Sequence, residues 1–171
     1  VNTEKSWRGG ERQTLYNALG LKRLGHNVTL LCLRDYPLAK YAKQHNINVI
    51  EINNNINALF FMLLKVKAFD IIHTQAASNQ FHALFSKLFF KKPLIYTRRV
   101  DFVPKGKLTL FKYNSTTKVI AISQAIKLIL EKFGVKNVEV ISDVAVSKQL
   151  YTERAKHYIV ENAFETKKII A

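Results

Sequence analysis

Short, unbroken apolar runs rich in valine and isoleucine alternate with helical patterns along almost the whole chain. The runs cover 28–33, 48–52, 69–74, 94–97, 118–122 and 138–141, and Val1-Asn2-Thr3 reads as the tail of a first strand. Strands buried on both faces read as continuous apolar runs, whereas half-exposed strands alternate. Between them, helices are expected over 14–24, closed by Gly25, and over 37–44 and 56–67. Phe81, Leu84, Phe85 and Leu88 mark one face of the next, at helical spacing. Over 123–133, Ser123 is a good N-cap, Ile126, Ile129, Leu130 and Phe133 form the stripe, and Gly134 ends it. Strictly alternating strand and helix predicts a doubly wound α/β domain, a parallel sheet with helices on both faces.

The size fits. A chain of 171 residues with 48% apolar content can bury one sizeable core. The longest wholly apolar run, 58–64, is far too short to span a bilayer, so the chain reads as soluble or peripheral. The single cysteine, Cys32, sits inside an apolar run and reads as an inert core thiol. From about residue 145 the rhythm breaks, which divides the chain into a domain over 1–145, a linker or helix over 146–166, and the start of another strand over 167–171. The chain reads as part of a longer protein.

In such a sheet ligands bind beyond the carboxyl ends of the strands. Residues able to do chemistry collect at or just past the strand ends, His73, Gln75, Arg98, Arg99, Asp101 and Ser123, and Arg8, Gly9, Gly10 and Glu11 stand at the turn into the first helix. The adjacent glycines at a strand-to-helix turn let the backbone approach a bound group, and the helix that follows offers its first N–H groups to the same spot. A tight turn is the bland alternative. Adjacent arginines at a strand end either meet a carboxylate such as Asp101 or face an anionic ligand. Glu11 reads as an acceptor contact or as ordinary helix-dipole chemistry, and Ser123 is first a cap. The five histidines show no metal-ligand spacing, so no metal site is expected, and Gly9-Gly10 lacks the lysine motif of a nucleotide-binding P-loop.

Taken together, Trp7-Arg8-Gly9-Gly10-Glu11-Arg12-Gln13, Leu24-Gly25-His26-Asn27-Val28, Phe69-Asp70-Ile71-Ile72-His73-Thr74-Gln75, Tyr96-Thr97-Arg98-Arg99-Val100-Asp101-Phe102 and Val119-Ile120-Ala121-Ile122-Ser123-Gln124 resemble the N-terminal domain of family 4 retaining glycosyltransferases, in a bacterial cell-envelope branch. The resemblance implies one Rossmann-like half of a GT-B fold, the half that mainly binds the acceptor. It also implies sugar transfer from a nucleotide-diphosphate sugar, with no metal or other cofactor, to a cell-envelope glycan such as lipopolysaccharide or capsule. Gly9, Gly10, Glu11, His73 and Gln75 are then expected to contact acceptor or sugar, and Arg8, Arg98 and Arg99 a phosphate or other anion, with Ser123 a secondary contact. Many relatives carry a histidine where Arg99 stands. Arginine is always protonated and cannot act as a base, so a binding role alone is carried over and the catalytic group stays unassigned. Val140-Ile141-Ser142-Asp143-Val144-Ala145-Val146 lacks the proline and glycine of the family hinge. Glu153 and Glu161 share the spacing of the family's donor-gripping pair but read as a coincidence in a charged helix, so donor-binding machinery and turnover are expected to need a further domain.

The net charge of +15 asks for an anionic partner: nucleic acid, anionic lipid or a phosphorylated substrate. Segments 58–67 and 81–92 carry more phenylalanine and leucine than one core stripe needs. Phe60, Phe61, Lys65, Lys87, Lys91, Lys92, Lys105 and Lys107 are therefore read as facing an anionic membrane, which puts the protein in the cytoplasm on the inner face of the cytoplasmic membrane. No nucleic-acid-binding signature accompanies the charge, and nucleic acid is not expected. The alternative to a transferase half is a non-enzymatic basic α/β module that binds an anionic membrane or nucleic acid.

Overall fold

The computed structural model of the protein describes residues 1–143, with His157, Val160 and Glu161. Those three residues apart, the expected linker over 146–166, the strand start over 167–171 and Glu153 lie outside the described residues. Within residues 1–143 six strands and six α-helices alternate: α1 (Gly9–Arg23), β1 (Thr29–Leu33), α2 (Pro37–Gln44), β2 (Asn48–Ile52), α3 (Asn55–Lys65), β3 (Ile72–Thr74), α4 (Gln80–Phe90), β4 (Leu94–Arg98), α5 (Lys107–Asn114), β5 (Lys118–Ala121), α6 (Gln124–Phe133) and β6 (Val138–Val140). All strand pairs are parallel, β1 with β2 and then β3-β4-β5-β6 in order.

The extended residues 1–3 join these two sheets. The Asn2 N–H donates to the Leu31 carbonyl at 3.0 Å on one side. On the other, the Val1 amino group donates to the His73 carbonyl at 2.6 Å and the Gln75 N–H to the Val1 carbonyl at 2.9 Å. The spatial order is therefore β2, β1, residues 1–3, β3, β4, β5, β6, and the chain reverses direction across the sheet at residues 1–3. That reversal makes the doubly wound architecture, and it creates the kind of switch point at which such sheets bind their ligands.

The helices divide unequally between the faces. Leu15, Ala18, Leu38 and Ala42 of α1 and α2 pack on Leu30 and Cys32 of β1. On the opposite face α3 and α4 bury Ala58, Met62, Ala83 and Leu84 against Leu31, Ile52, Ile72 and Leu94, and α5 and α6 bury Tyr113, Ile126 and Leu130 against Tyr96, Val119 and Ala121. On the α1 side, His73, Ile95, Thr97 and Ile120 line an open groove of about 710 Å³ beside α1. Cys32 is buried, and burial pushes its thiol up to about 11. A thiol this protonated and shielded is a poor nucleophile, so a disulfide reagent at pH 8 is expected to label Cys32 only after unfolding.

Four differences from the sequence reading have physical causes. The first helix starts at Gly9, five residues before the expected Thr14, so Gly9 and Gly10 occupy its first turn rather than a preceding loop. Helix α5 was not expected: it is short and follows Gly106, whose φ of +85° suits glycine. Strand β3 pairs only from Ile72, where its N–H reaches the Pro93 carbonyl. Most consequential, α4 is rotated about its axis from the expected stripe. Small Ala83 and Ser86 face inward, and the Ser86 hydroxyl lies 3.4 Å from the Met62 carbonyl. Phe81 and Leu88 are thereby turned outward. Ser123 caps α6 as expected, accepting from the Ile126 N–H, and Gly134 ends that helix at φ +99°.

Candidate functional site

The carboxyl edge of the sheet gathers most of the residues singled out in the sequence. Arg8 is extended and precedes the helix. Glu11 reaches back, its Oε2 accepting from the Arg8 N–H at 2.7 Å and from the Ser6 hydroxyl at 3.3 Å. This carboxylate is buried and helps to fix the helix start. The N–H groups of the first turn have no intrahelical acceptor and carry the positive end of the helix dipole. Neither Gly9 nor Gly10 has a positive φ, and a Cβ on either would meet nothing within 4 Å. Alanine would suit the helix better than glycine, by roughly 0.5–1 kcal/mol in a helix interior. Neither position therefore needs glycine for its backbone conformation or for packing.

A polar seam holds this turn against the neighbouring loops. Asn2 Nδ2 donates to Thr14 Oγ1 at 2.9 Å, and Thr3 Oγ1 lies 2.8 Å from both Asn55 Oδ1 and Asn79 Nδ2. The Ser78 hydroxyl donates to Glu4 at 3.1 Å. The starts of α1, α3 and α4 are thus tied together at the switch point. Asn2, Thr3 and Asn79 were not singled out in the sequence, since a buried asparagine has no signature apart from its neighbours.

Beside this seam lies a second cluster, on the α1 side of the sheet. His73 Nε2 and Thr97 Oγ1 are 2.7 Å apart, and Gln75 Nε2 lies 3.3 Å from both ring nitrogens of His73. Arg99 directs its Nε to Asp143, 2.9 Å from Oδ2 and 3.2 Å from Oδ1. Three atoms here are buried with no hydrogen-bond partner among the described residues: Gln75 Oε1 and the two terminal nitrogens of Arg99. Buried polar atoms nearly always have partners, and these three are left able to accept one hydrogen bond and to donate others. Thr97 and Asp143 are the cluster members that the sequence reading passed over.

His73 is held neutral. Burial first, then the positive charges of the Val1 amino group and Arg99, lower its pKa to about 3. Its contribution to stability is therefore complete above the unfolded value of about 6.5 and is lost as the pH falls toward the folded value. Each pH unit in that window is expected to cost about 1.4 kcal/mol, and His73→Gln should flatten the acid limb of a urea-unfolding series between pH 6.5 and 4.

Arg98 and Arg99 part company. Alternation along β4 sends Arg98 to the opposite face, where it is 3% exposed. Its Nη1 donates to Tyr113 Oη at 2.6 Å, its Nη2 donates to the Phe102 carbonyl, and both aromatic rings lie within cation–π range, at 5.9 and 5.0 Å. Asp101, offered as a possible neutraliser, is exposed and forms neither contact. Arg98 thus sits inside the fold, while Arg99 joins His73 and Gln75. Ser123 spends its hydroxyl on the α6 cap. No group of three or more potential metal ligands occurs among the described residues, and no described helix is long and apolar enough to cross a membrane.

Comparison with known proteins gives this edge a family. The model for Glycosyltransferase Family 4 matches residues 7–143. No curated protein matches the sequence. Among solved structures, Anabaena Alr3699/HepE in complex with UDP-glucose superposes with a TM-score of 0.77 at 15% identity, over 96% of this chain and 49% of that one. A glycosyltransferase from Rickettsia africae gives 0.68 at 21% identity, over 90% and 45%. Acinetobacter baumannii MurG gives 0.59 at 13%, over 82% and 43%. The chain spans about half the length of each of these structures. Its fold is the Rossmann-like half of a GT-B glycosyltransferase, and the chain belongs to glycosyltransferase family 4.

Proposed function

We propose that this chain is the acceptor-binding half of a retaining glycosyltransferase that moves a sugar from a nucleotide-diphosphate donor to a cell-envelope glycan, of the lipopolysaccharide or capsule kind. The observation that carries the reading is the set of orphaned polar atoms at the carboxyl edge. Gln75 Oε1 accepts only from a donor such as a sugar hydroxyl, while the terminal nitrogens of Arg99 donate only to an acceptor such as a phosphate or carboxylate. A phosphorylated or acidic sugar offers both. The first turn of α1, open above Gly9 and Gly10, supplies further donors of the sort that stabilise a leaving diphosphate. Alr3699/HepE, which shares the fold, binds UDP-glucose, and that supports a nucleotide-sugar donor here. Neutral His73 orients the site as a hydrogen-bonding group rather than as a cation.

The test uses the natural protein that contains this chain, supplied with nucleotide-diphosphate sugars and with glycan or glycolipid acceptors. The expected result is acceptor-dependent release of nucleoside diphosphate, with the donor's anomeric configuration kept in the product by NMR. The 171-residue chain alone should bind acceptor but turn over no donor. Inversion of configuration would remove the retaining assignment. Absence of transfer, with binding to every polyanion alike, would replace the enzyme with a basic binding module.

A further inference from the structure

Two cations that the fold draws in from the surface find acceptors for their charged ends; a third does not. Lys87, expected beside Phe61 on an outward membrane face, instead donates to the Ser115 carbonyl at 2.5 Å, and Phe61 packs against the core. Arg98 gives its terminal nitrogens to Tyr113 and the Phe102 carbonyl. The third is Arg99. Its side chain is 12% exposed and hydrogen-bonds, among the described residues, to Asp143 alone. Both oxygens of Asp143 approach the one nitrogen Nε, and Nη1 and Nη2 are buried with no partner.

For stability alone, a different arrangement would serve better. A carboxylate facing a guanidinium commonly takes two parallel N–H groups of the fork. Here that would have satisfied buried donors that now go unmet at a cost. As a means of aiming a side chain, the observed contact is effective. Arginine has a long stem with much rotamer freedom, and its guanidinium is a rigid plane. Held at Nε, that plane keeps one direction, and its outer edge, the N–H groups of Nη1 and Nη2, stays complete. Strand order supplies the hold: Arg99 follows β4, Asp143 follows β6, and β5 runs between them. The other carboxylates of the β4–β6 half are placed elsewhere, since Asp101 is exposed, Glu131 lies with Lys127 and Glu139 with Lys118. Asp143 also lines the groove beside α1, with His73, Gln75 and Thr97.

We propose that Asp143 is a positioning residue, holding Arg99 by Nε so that Nη1 and Nη2 together meet the carboxylate of an acidic sugar. The proposal narrows the acceptor class of the site and rests on the transferase reading for the reaction, though not for the binding step. A carboxylate is planar, as the outer edge of the guanidinium is, and accepts two parallel N–H groups. Its single negative charge also suits the place. Asp143 already offsets Arg99, and His73 is neutral, so a phosphomonoester, with about two negative charges, has less to meet it. Gln75 Oε1 remains for a hydroxyl of the same sugar. Asp143 itself acts through Arg99.

Titration of the nitrogen-15-labelled 171-residue chain with glucuronate, glucose 6-phosphate and glucose reads the binding step without turnover. The Arg99 side-chain N–H signals should shift with glucuronate, less with glucose 6-phosphate and not with glucose. Asp143→Ala should weaken glucuronate binding about tenfold, and Asp143→Asn, which can still accept from Nε, about threefold. In the natural protein Asp143→Ala should lower turnover about tenfold. The double variant Arg99→Ala/Asp143→Ala should lose no more than Arg99→Ala alone, whereas a residue that only supported the fold would subtract its own loss in both backgrounds. Asp143→Asn covers the case of a misfolded alanine variant. Arg99 signals indifferent to glucuronate, glucuronate binding unchanged in both Asp143 variants, additive losses in the double variant, or tighter binding of glucose 6-phosphate would overturn the proposal. A natural protein that transfers no sugar would sink the transferase reading, and the titration would still decide the hold on Arg99.

Discussion

Arg98→Ala should lower the unfolding free energy by about 3 kcal/mol, from lost charge-assisted hydrogen bonds and a new cavity. For a chain of this size that is a melting temperature lower by about 10 °C. Arg98 is 3% exposed and pairs with no described carboxylate; Tyr113 Oη and the Phe102 carbonyl accept from its terminal nitrogens, while Nε has no partner among the described residues. Tyr113 stacks on Tyr96 with centroids 5.4 Å apart, and burial pushes the Tyr96 phenol well above its usual range. Truncation would orphan the Tyr113 hydroxyl within this stack. Arg98→Met refills the volume without a charge to desolvate and should cost less; Arg98→Lys cannot serve two acceptors in fork geometry and should fall between. Urea unfolding of the three variants checks the order. If Arg98 instead held a ligand, Arg98→Lys would lose acceptor binding at unchanged stability.

Arg99→Ala should do the opposite. Its side chain is 12% exposed and that of Asp143 is 23%, so loss of the pair should cost about 1.5–2 kcal/mol, less than Arg98→Ala. Turnover of the natural protein should fall about 10²-fold, the scale seen when one donor that stabilises developing negative charge is removed. Arg99→Lys keeps the charge but not the planar fork and should recover only part of the loss. Turnover that survives Arg99→Ala would reduce Arg99 to a structural partner of Asp143. Two neighbouring residues of one type should thus separate stability from activity, because alternation along the chain sends their side chains to opposite faces.

How much of this was legible beforehand follows from which forces act locally. Strands such as 94–97 and the capped helix from Ser123 to Gly134 announce themselves through apolar runs and turn residues, and the structure has them within a residue or so. The meeting of His73 and Gln75 with Arg99 followed from the carboxyl-edge rule, given the strand order. The inward burial of Arg98 did not, since it depends on α5, a helix too short and weakly patterned to be anticipated. The orientation of α4 was missed because an apolar stripe was assumed to face the core. Ala83 and Ser86 take the inner positions, where close approach to α3 matters more than side-chain size. Thr97 and Asp143 belong to the site only through contacts made across the sheet, which no local pattern records.

Residues 1–3 carry the described backbone hydrogen bonds between the two groups of strands, and α3 and α4 pack across both groups. Within each group, neighbouring strands are joined by a single helical crossover, so each can assemble from contacts close in sequence. The seam instead joins residue 1 to residue 73, and its loop-closure entropy must be overcome before those hydrogen bonds return any stability. Because Gly9 and Glu11 lie on one side of it and His73 and Gln75 on the other, completing the sheet is also what brings the residues of the candidate site together.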